Sequence, residues 1–221
     1  GSSAARAVAL VKAGEADMVM KGVLDTSILL KAVLNKENGL NAGRLTSHVG
    51  VMEVPTYHKL LIVTDGAINI APDLAGKLDI IANAVQVAKA LGVELPKVAL
   101  LAAVEKVNAD RMPCTADAAI LTQMNRRGQI KGCVVDGPLA LDNAVSAESA
   151  RIKGIVSEVA GDADILVSPD IEAGNILYKC LLDLGNAKGA GIVVGATKPV
   201  VLTSRSDSAK TKLADRKSTR L

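Results

Sequence analysis

Residues 60–102, LLIVTDGAINIAPDLAGKLDIIANAVQVAKALGVELPKVALLA, decide the fold class. The run 60–64 is apolar and rich in branched side chains, and Thr64-Asp65-Gly66 ends it. From Leu74 the spacing changes. Leu74, Leu78, Ile81, Val85, Ala88 and Leu91 recur every three or four residues, so they share one helix face. Gly92 stops that helix, and a second apolar run fills 97–102. Strand, helix, strand at this spacing predicts parallel pairing. Near-continuous apolar runs predict strands covered on both faces.

The same alternation extends outward. Further strands are expected at 18–20, 49–54, 132–135, 165–167, 191–194 and 200–203, and further helices at 4–13, 27–34, 115–124, 146–153 and 174–184. Thr115 is the expected N-cap of its helix and Ser146 opens another. No fixed-period repeat is visible. Hinges are expected at the polar, glycine-bearing stretch 38–43 and at 196–199. The sequence opens on a helical pattern without an initiator Met, and 215–221, DRKSTRL, is charged and lacks a core pattern. Both ends read as those of a fragment cut from a longer chain.

Composition excludes several classes. The chain has no Phe or Trp and only Tyr57 and Tyr178, so base-stacking platforms for RNA or single strands are not expected. A net charge of +3 demands neither nucleic acid nor a membrane surface. No apolar run reaches the ~18 residues a spanning helix needs. Cys114, Cys133 and Cys180 are scattered and odd in number, which suggests a reducing compartment, expected to be the cytoplasm. With only His48 and His58 and no CxxC pair, a zinc site is not expected.

Chemistry concentrates where strands end. Asp65 and Asn69 follow the strand at 60–64; Asp136 and Asp142 follow 132–135; Asp170 and Asn175 follow 165–167. In α/β sheets ligands bind at such corners, although an acid there also serves to cap the next helix. The corner TSRSD, 203–207, is the most specific. A strand running into a helix N-terminus offers free N–H groups to an anion. Arg205 adds a fork suited to phosphate, Ser204 and Ser206 add hydroxyls, and Asp207 is either a cap or a general base. Lys21, after 18–20, is either a phosphate ligand or a solvated lysine. His48 reads by default as a core or capping histidine, and each cysteine as packing. Arg126-Arg127-Gly128 reads as a helix C-terminus. GAGIVVG, 189–195, precedes a strand where a dinucleotide loop follows one, so it reads as a tight turn. Walker and GxSxG motifs are absent.

The motifs MVMKG (18–22), SHVGVMEVP (47–55), TDGAINIAPDL (64–74), PKVALLAAVE (96–105), DGPLALDNA (136–144), VAGDADILV (159–167), PDIEAGNILYK (169–179) and PVVLTSRSDSAKTKLA (199–214), in this order and spacing, resemble the phosphate acetyl/butyryl transferase family, at its butyryl end. The resemblance spans nearly everything from Ala5 to Ala214. It implies a two-domain α/β fold of mainly parallel sheets with helices on both faces, isocitrate/isopropylmalate dehydrogenase-like and here N-terminally truncated. Residues 1–40 are expected to be a remnant of the first domain, completed by 200–221, with 41–199 as the second. It implies reversible transfer of a butyryl or other short acyl group between coenzyme A and inorganic phosphate, usually by a homo-oligomer. Coenzyme A and phosphate enter as substrates; no metal and no covalent acyl-enzyme is required.

On the resemblance, Arg205 binds phosphate and Ser204 stabilises the developing oxyanion. The family's proton-accepting acid falls at Thr211, which cannot serve, so Asp207, the nearest acid, is the expected base. Lys31 stands where relatives carry an anion-binding Arg. Lys21, Lys31, Asp65, Asn69, Asp136, Asn175 and Lys179 are the expected substrate-binding residues, and Met20 or Ile68 with small aliphatics the acyl lining. The alternatives are a phosphate acetyltransferase, or the transferase half of a bifunctional enoyl-CoA hydratase/phosphate acetyltransferase. Two others are a metal-dependent dehydrogenase on a similar scaffold, using Asp136, Asp142 and Asp170, and a non-catalytic binding module.

Overall fold

The structure, a computed structural model, describes residues 2–202 together with 213 and 215. In chain order the elements are α1 (Ser2–Lys12), β1 (Val19–Met20), α2 (Thr26–Val33), β2 (Ser47–Glu53), β3 (Leu60–Thr64), α3 (Leu74–Ala90), β4 (Lys97–Leu101), α4 (Pro113–Arg126), β5 (Val134–Leu139), α5 (Leu141–Val145), α6 (Ala147–Ile152), β6 (Ile165–Val167), α7 (Ile171–Asp183), β7 (Lys188–Val194) and β8 (Val200–Val201). All the strands join one sheet of order β1-β8-β7-β2-β3-β6-β4-β5.

The half β3-β6-β4-β5 is parallel, as the 60–102 pattern predicts. The other half is not uniformly so: β2 is antiparallel to both β3 and β7, and β7 to β8. Two parallel sheets are thus replaced by one mixed sheet. The reason is visible in chain lengths. The connection from β2 to β3 spans only residues 54–59, which suits a hairpin and is too short for a crossover.

Burial on both faces holds. Along β4, Val98 and Leu100 join a core with α3 and α4, while Ala99 and Leu101 join a core with α5 and α7 on the opposite face. A third core gathers Val8 and Val11 of α1, Leu29 and Val33 of α2, and Val19, Val193 and Val200 of the strands. On α3 the buried face is wider than the apolar stripe, because Lys77 and Asn83 are also buried. Lys77 pairs with Asp117 at 2.6 Å, and Asn83 Nδ2 donates to Leu45 O and Ser47 Oγ.

Three local expectations need correction. Thr115 does not cap α4; the helix starts at Pro113, and the Thr115 hydroxyl donates to Met112 O while accepting from Asn108 N. The strand expected at 132–135 runs instead from Val134 to Leu139, through Asp136-Gly137-Pro138. It is an edge strand, where a proline takes no hydrogen bond from the ladder, and its register shifts between Ala99 and Leu101. The glycine run at 189–195 is not a turn but most of β7, paired with β2 along its length. By contrast, Ser146 does cap α6, and Arg126 and Gly128 end α4 as expected.

Candidate active site

Ser204, Arg205 and Asp207 lie outside the described residues. The end of β8 that leads to them is described, and its neighbours define the local chemistry. Lys21 follows β1, and its backbone N–H donates to Val201 O at 2.9 Å. That bond fixes Lys21 at the last rung of β8, with 6% of its surface exposed. Its Nζ donates to Gly22 O at 3.3 Å, one of the interactions that hold the buried ammonium beside this strand end. On the other flank of β8, Gly191 N donates to the buried carboxylate of Asp215 at 2.7 Å.

A second group sits at the C-terminal end of β3. Asp65 Oδ1 accepts from Ala67 N and Ile68 N, and Oδ2 from Asn69 N and Asn69 Nδ2. The carboxylate therefore shapes its own loop. Asn69 Nδ2 also donates to Thr46 O, which ties the loop to the start of β2. Asn175 Nδ2 donates to Gly66 O from near the start of α7. There Gly66 and Gly174 meet backbone to backbone: a Cβ on Gly174 would lie 2.4 Å from Asp65 O. Asp170 caps α7 by accepting from Ala173 N, so its role is the bland one.

The structure thus brings Asp65, Asn69 and Asn175 together and sets Lys21 at β8. It does not bring Asp136 to them. Asp136 lies within edge strand β5, three strand spacings from β3, roughly 14 Å. Lys31 and Lys179 are exposed on α2 and α7 and make no hydrogen bond or ion pair among the described residues. Asp142 is occupied by Ser149 and Lys153, and no group of three or more potential metal-binding side chains occurs among the described residues.

One feature of the sheet beneath α7 is not announced by the sequence. Gly50 and Gly191 are directly opposed across β2 and β7. The Tyr178 ring of α7 lies over Gly50 and the His48 ring over Gly191; a Cβ would meet them at 2.4 and 2.6 Å. The two rings touch edge to face, centroids 5.5 Å apart. Further along, Leu182 packs on Gly189. Glycines at 50, 189 and 191 therefore form a floor that lets α7 press its Asn175, Tyr178 and Leu182 stripe onto the sheet. The alternation of glycine with small residues in 189–195 was the available signal.

Charges are organised at both sheet ends. At the C-terminal rim, Lys153 bridges Glu105 and Asp142. Hydrogen bonds from Lys153 and then Ser149 lower Asp142 to about 2, and the Lys153 bond also lowers Glu105. At the opposite end, burial would raise Asp162, but hydrogen bonds from Lys97, Lys59 and His58 outweigh it and hold the carboxyl well below its usual range. Burial, then Asp162 and Asp164, push the Tyr57 phenol far above its ordinary value; its hydroxyl donates to Ala163 O. Cys133 is buried and Cys114 partly so, and burial raises both thiols; Cys180, read as packing, is exposed.

A sheet covered on both faces, with polar loops at its strand ends, is the class of α/β protein that binds small ligands at those ends. A branched-chain phosphotransacylase from Enterococcus faecalis V583 has the same fold: TM-score 0.87 and 42% identity, covering 98% of this chain and 77% of that one. The family described as phosphate acetyl/butaryl transferase matches residues 2–215, and the chain belongs to it. It is 54% identical over 211 residues to a phosphate butyryltransferase of Clostridium acetobutylicum, covering 96% of this chain and 70% of that protein. It is 53% identical over 206 residues to a phosphate acetyltransferase of Thermotoga maritima, covering 93% of this chain and 70% of that protein.

Proposed function

We propose that the chain transfers a butyryl group between coenzyme A and inorganic phosphate: butyryl-CoA plus phosphate gives butyryl phosphate plus coenzyme A. The observation that carries this reading is the 54% identity, sustained over 211 residues, to a phosphate butyryltransferase. A phosphate oxygen attacks the thioester carbonyl, the new C–O bond forms, the C–S bond breaks, and the thiolate leaves. Holding phosphate in line with the carbonyl is the main contribution, since positioning can supply ~7–11 kcal/mol. Arg205 and Lys21 hold the phosphate, Ser204 donates to the oxyanion, and Asp207 exchanges the thiol proton. The buried position of Lys21 at the last rung of β8 supports its part. Asn69, Asn175, Lys31 and Lys179 remain candidates for holding the rest of the substrate. Asp65 acts through its loop rather than by direct contact, since its oxygens already accept four hydrogen bonds. The displacement uses no resident cofactor.

The two-domain, isocitrate/isopropylmalate dehydrogenase-like arrangement belongs to the same reading, with 1–40 and the segment from 200 onward in one unit and 41–199 in the other. The core of α1, α2, β1 and β8, which takes Val193 of β7 as its one buried residue from 41–199, supports it. So does the meeting of both expected hinges, where Asn41 bridges Ala196 and Thr197 N donates to Leu40 O. Exposed Ile152 and Val156 support association into a homo-oligomer, and three unpaired cysteines support a cytoplasmic setting.

Thiol release from butyryl-CoA and acetyl-CoA in the presence of phosphate tests the acyl preference. The expected result is a higher kcat/KM for butyryl-CoA, by roughly 30-fold or more, since each of the two added methylenes supplies ~1–3 kcal/mol in an apolar pocket. A preference for acetyl-CoA would move the assignment to the acetyl member of the family.

A further inference from the structure

We propose that α4 guards the free edge of β5, with the carboxamide of Asn125 standing where a further strand would pair, so that copies of this chain do not join sheet to sheet. The sheet ends on one side in β1, of two residues, and on the other in β5, of six. A long unpaired edge is a template for another strand. No described element covers this one: a groove of about 550 Å³, lined in part by Asn125, Val134, Val135, Asp136 and Val156, runs along it. What keeps a strand out must therefore act on the backbone groups of the edge themselves.

Val134 N donates to Pro96 O, just before β4, at 3.0 Å. In this parallel ladder Val134 and Asp136 therefore turn their backbone groups to β4, while Cys133, Val135 and Gly137 turn theirs outward. Side chains meet four of those outward groups. Val135 N donates to Asn125 Oδ1, and Asn125 Nδ2 donates to Cys133 O, both at 3.0 Å. A residue of an added parallel strand would make the same two bonds, accepting from one N–H and donating to the carbonyl two residues earlier. The amide of Asn125 supplies that donor and acceptor from a helix instead. Asn125 Nδ2 also donates to Ile130 O, which shapes the turn after α4, but a turn anchor has no need of the two bonds to β5. Three residues back, on the same face of α4, Thr122 Oγ1 donates to Gly137 O at 3.2 Å. Gly137 N is taken by Asp136 Oδ1 at 2.9 Å, and Pro138 follows with no N–H to offer. Asp136, remote from the β3 loop, thus has a task at this edge.

The test compares wild type, Asn125→Ala/Thr122→Val, and Asp170→Ala, which loses the cap of α7 away from this edge. Multi-angle light scattering gives the mass in solution. A fluorescent peptide with the sequence of residues 131–139, KGCVVDGPL, probes the edge directly by anisotropy. Each protein is held at the same interval below its own Tm, so that lowered stability is not read as association. The expected result is that the double variant forms species larger than wild type does, at concentrations about tenfold lower, and binds the peptide about tenfold more tightly. Asp170→Ala behaves as wild type in both measurements, and a peptide N-methylated on alternate amides, which cannot complete a ladder, does not bind. If the double variant does not fold, the single variants Asn125→Ala and Thr122→Val are read in the same way. A folded variant with the mass and peptide affinity of wild type overturns the proposal. So does a wild type that binds the peptide as tightly as the variant, or an Asp170→Ala protein that associates as far. No arm depends on turnover, so the outcome is separate from that of the acyl-transfer reading.

Discussion

Gly50 illustrates how a single residue can be legible in kind and illegible in purpose. Inside a strand it marks either a bulge or a close approach, and only the position of Tyr178 decides between them. Gly50→Ala would bring a methyl to 2.4 Å from the Tyr178 ring, so α7 must shift. We expect a loss of about 1–3 kcal/mol, read as a lowered Tm, with part of it recovered by Tyr178→Leu. Lys77 and Asn83 could not have been read as buried, because their partners, Asp117 and Ser47, come from distant elements. Asp162 yields a pH prediction. Its folded pKa is depressed, so the stabilisation is present above the ordinary carboxylate value of ~3.9 and is lost as pH falls below it. Asp162→Asn should lower Tm at pH 7 by an amount equivalent to about 0.5–1 kcal/mol, because the site is partly solvated. Near pH 3 the difference should shrink. A constant offset across pH would show that the ion pairs contribute nothing.

At the scale of elements, the parallel half of the sheet was readable because each strand there is apolar on both faces and each crossover helix carries its own stripe and stop. The antiparallel half was not, since orientation depends on connection geometry rather than on the strand's residues. The boundaries of β5 and β7 failed for a related reason: Gly and Pro were taken as breaks where an edge position and a close helix contact tolerate them. The helix that matters most for the site is α7, whose N-terminal part delivers Asn175 to the β3 loop. Asp170→Ala removes its cap. The expected cost is about 1 kcal/mol in stability, together with a several-fold fall in kcat/KM as the first turn frays and loosens Asn175 from Gly66. Unchanged kinetics alongside the lower Tm would separate α7 from the chemistry.

At the scale of the whole molecule, the sheet unites what the sequence suggested were two units. The bridge between Asn41 and Ala196 brings the segments of both expected hinges side by side. Family membership was legible because the motifs at strand ends carry more information than composition does, and the described structure places several of those motifs side by side. Lys21, from the first quarter of the chain, reaches the end of β8, and the loop after β3 meets α7 across Gly66 and Gly174. The SRSD motif at 204–207, whose roles rest on the family pattern, carries the central proposal that phosphate is the acyl acceptor. The most direct test is initial-rate thiol release from butyryl-CoA as phosphate is varied, in wild type and Arg205→Ala. The account predicts saturable phosphate dependence in wild type and, in the variant, a higher KM for phosphate with kcat lowered by ~10² or more. Thiol release that ignores phosphate, or an Arg205→Ala enzyme with wild-type kinetics, would contradict it.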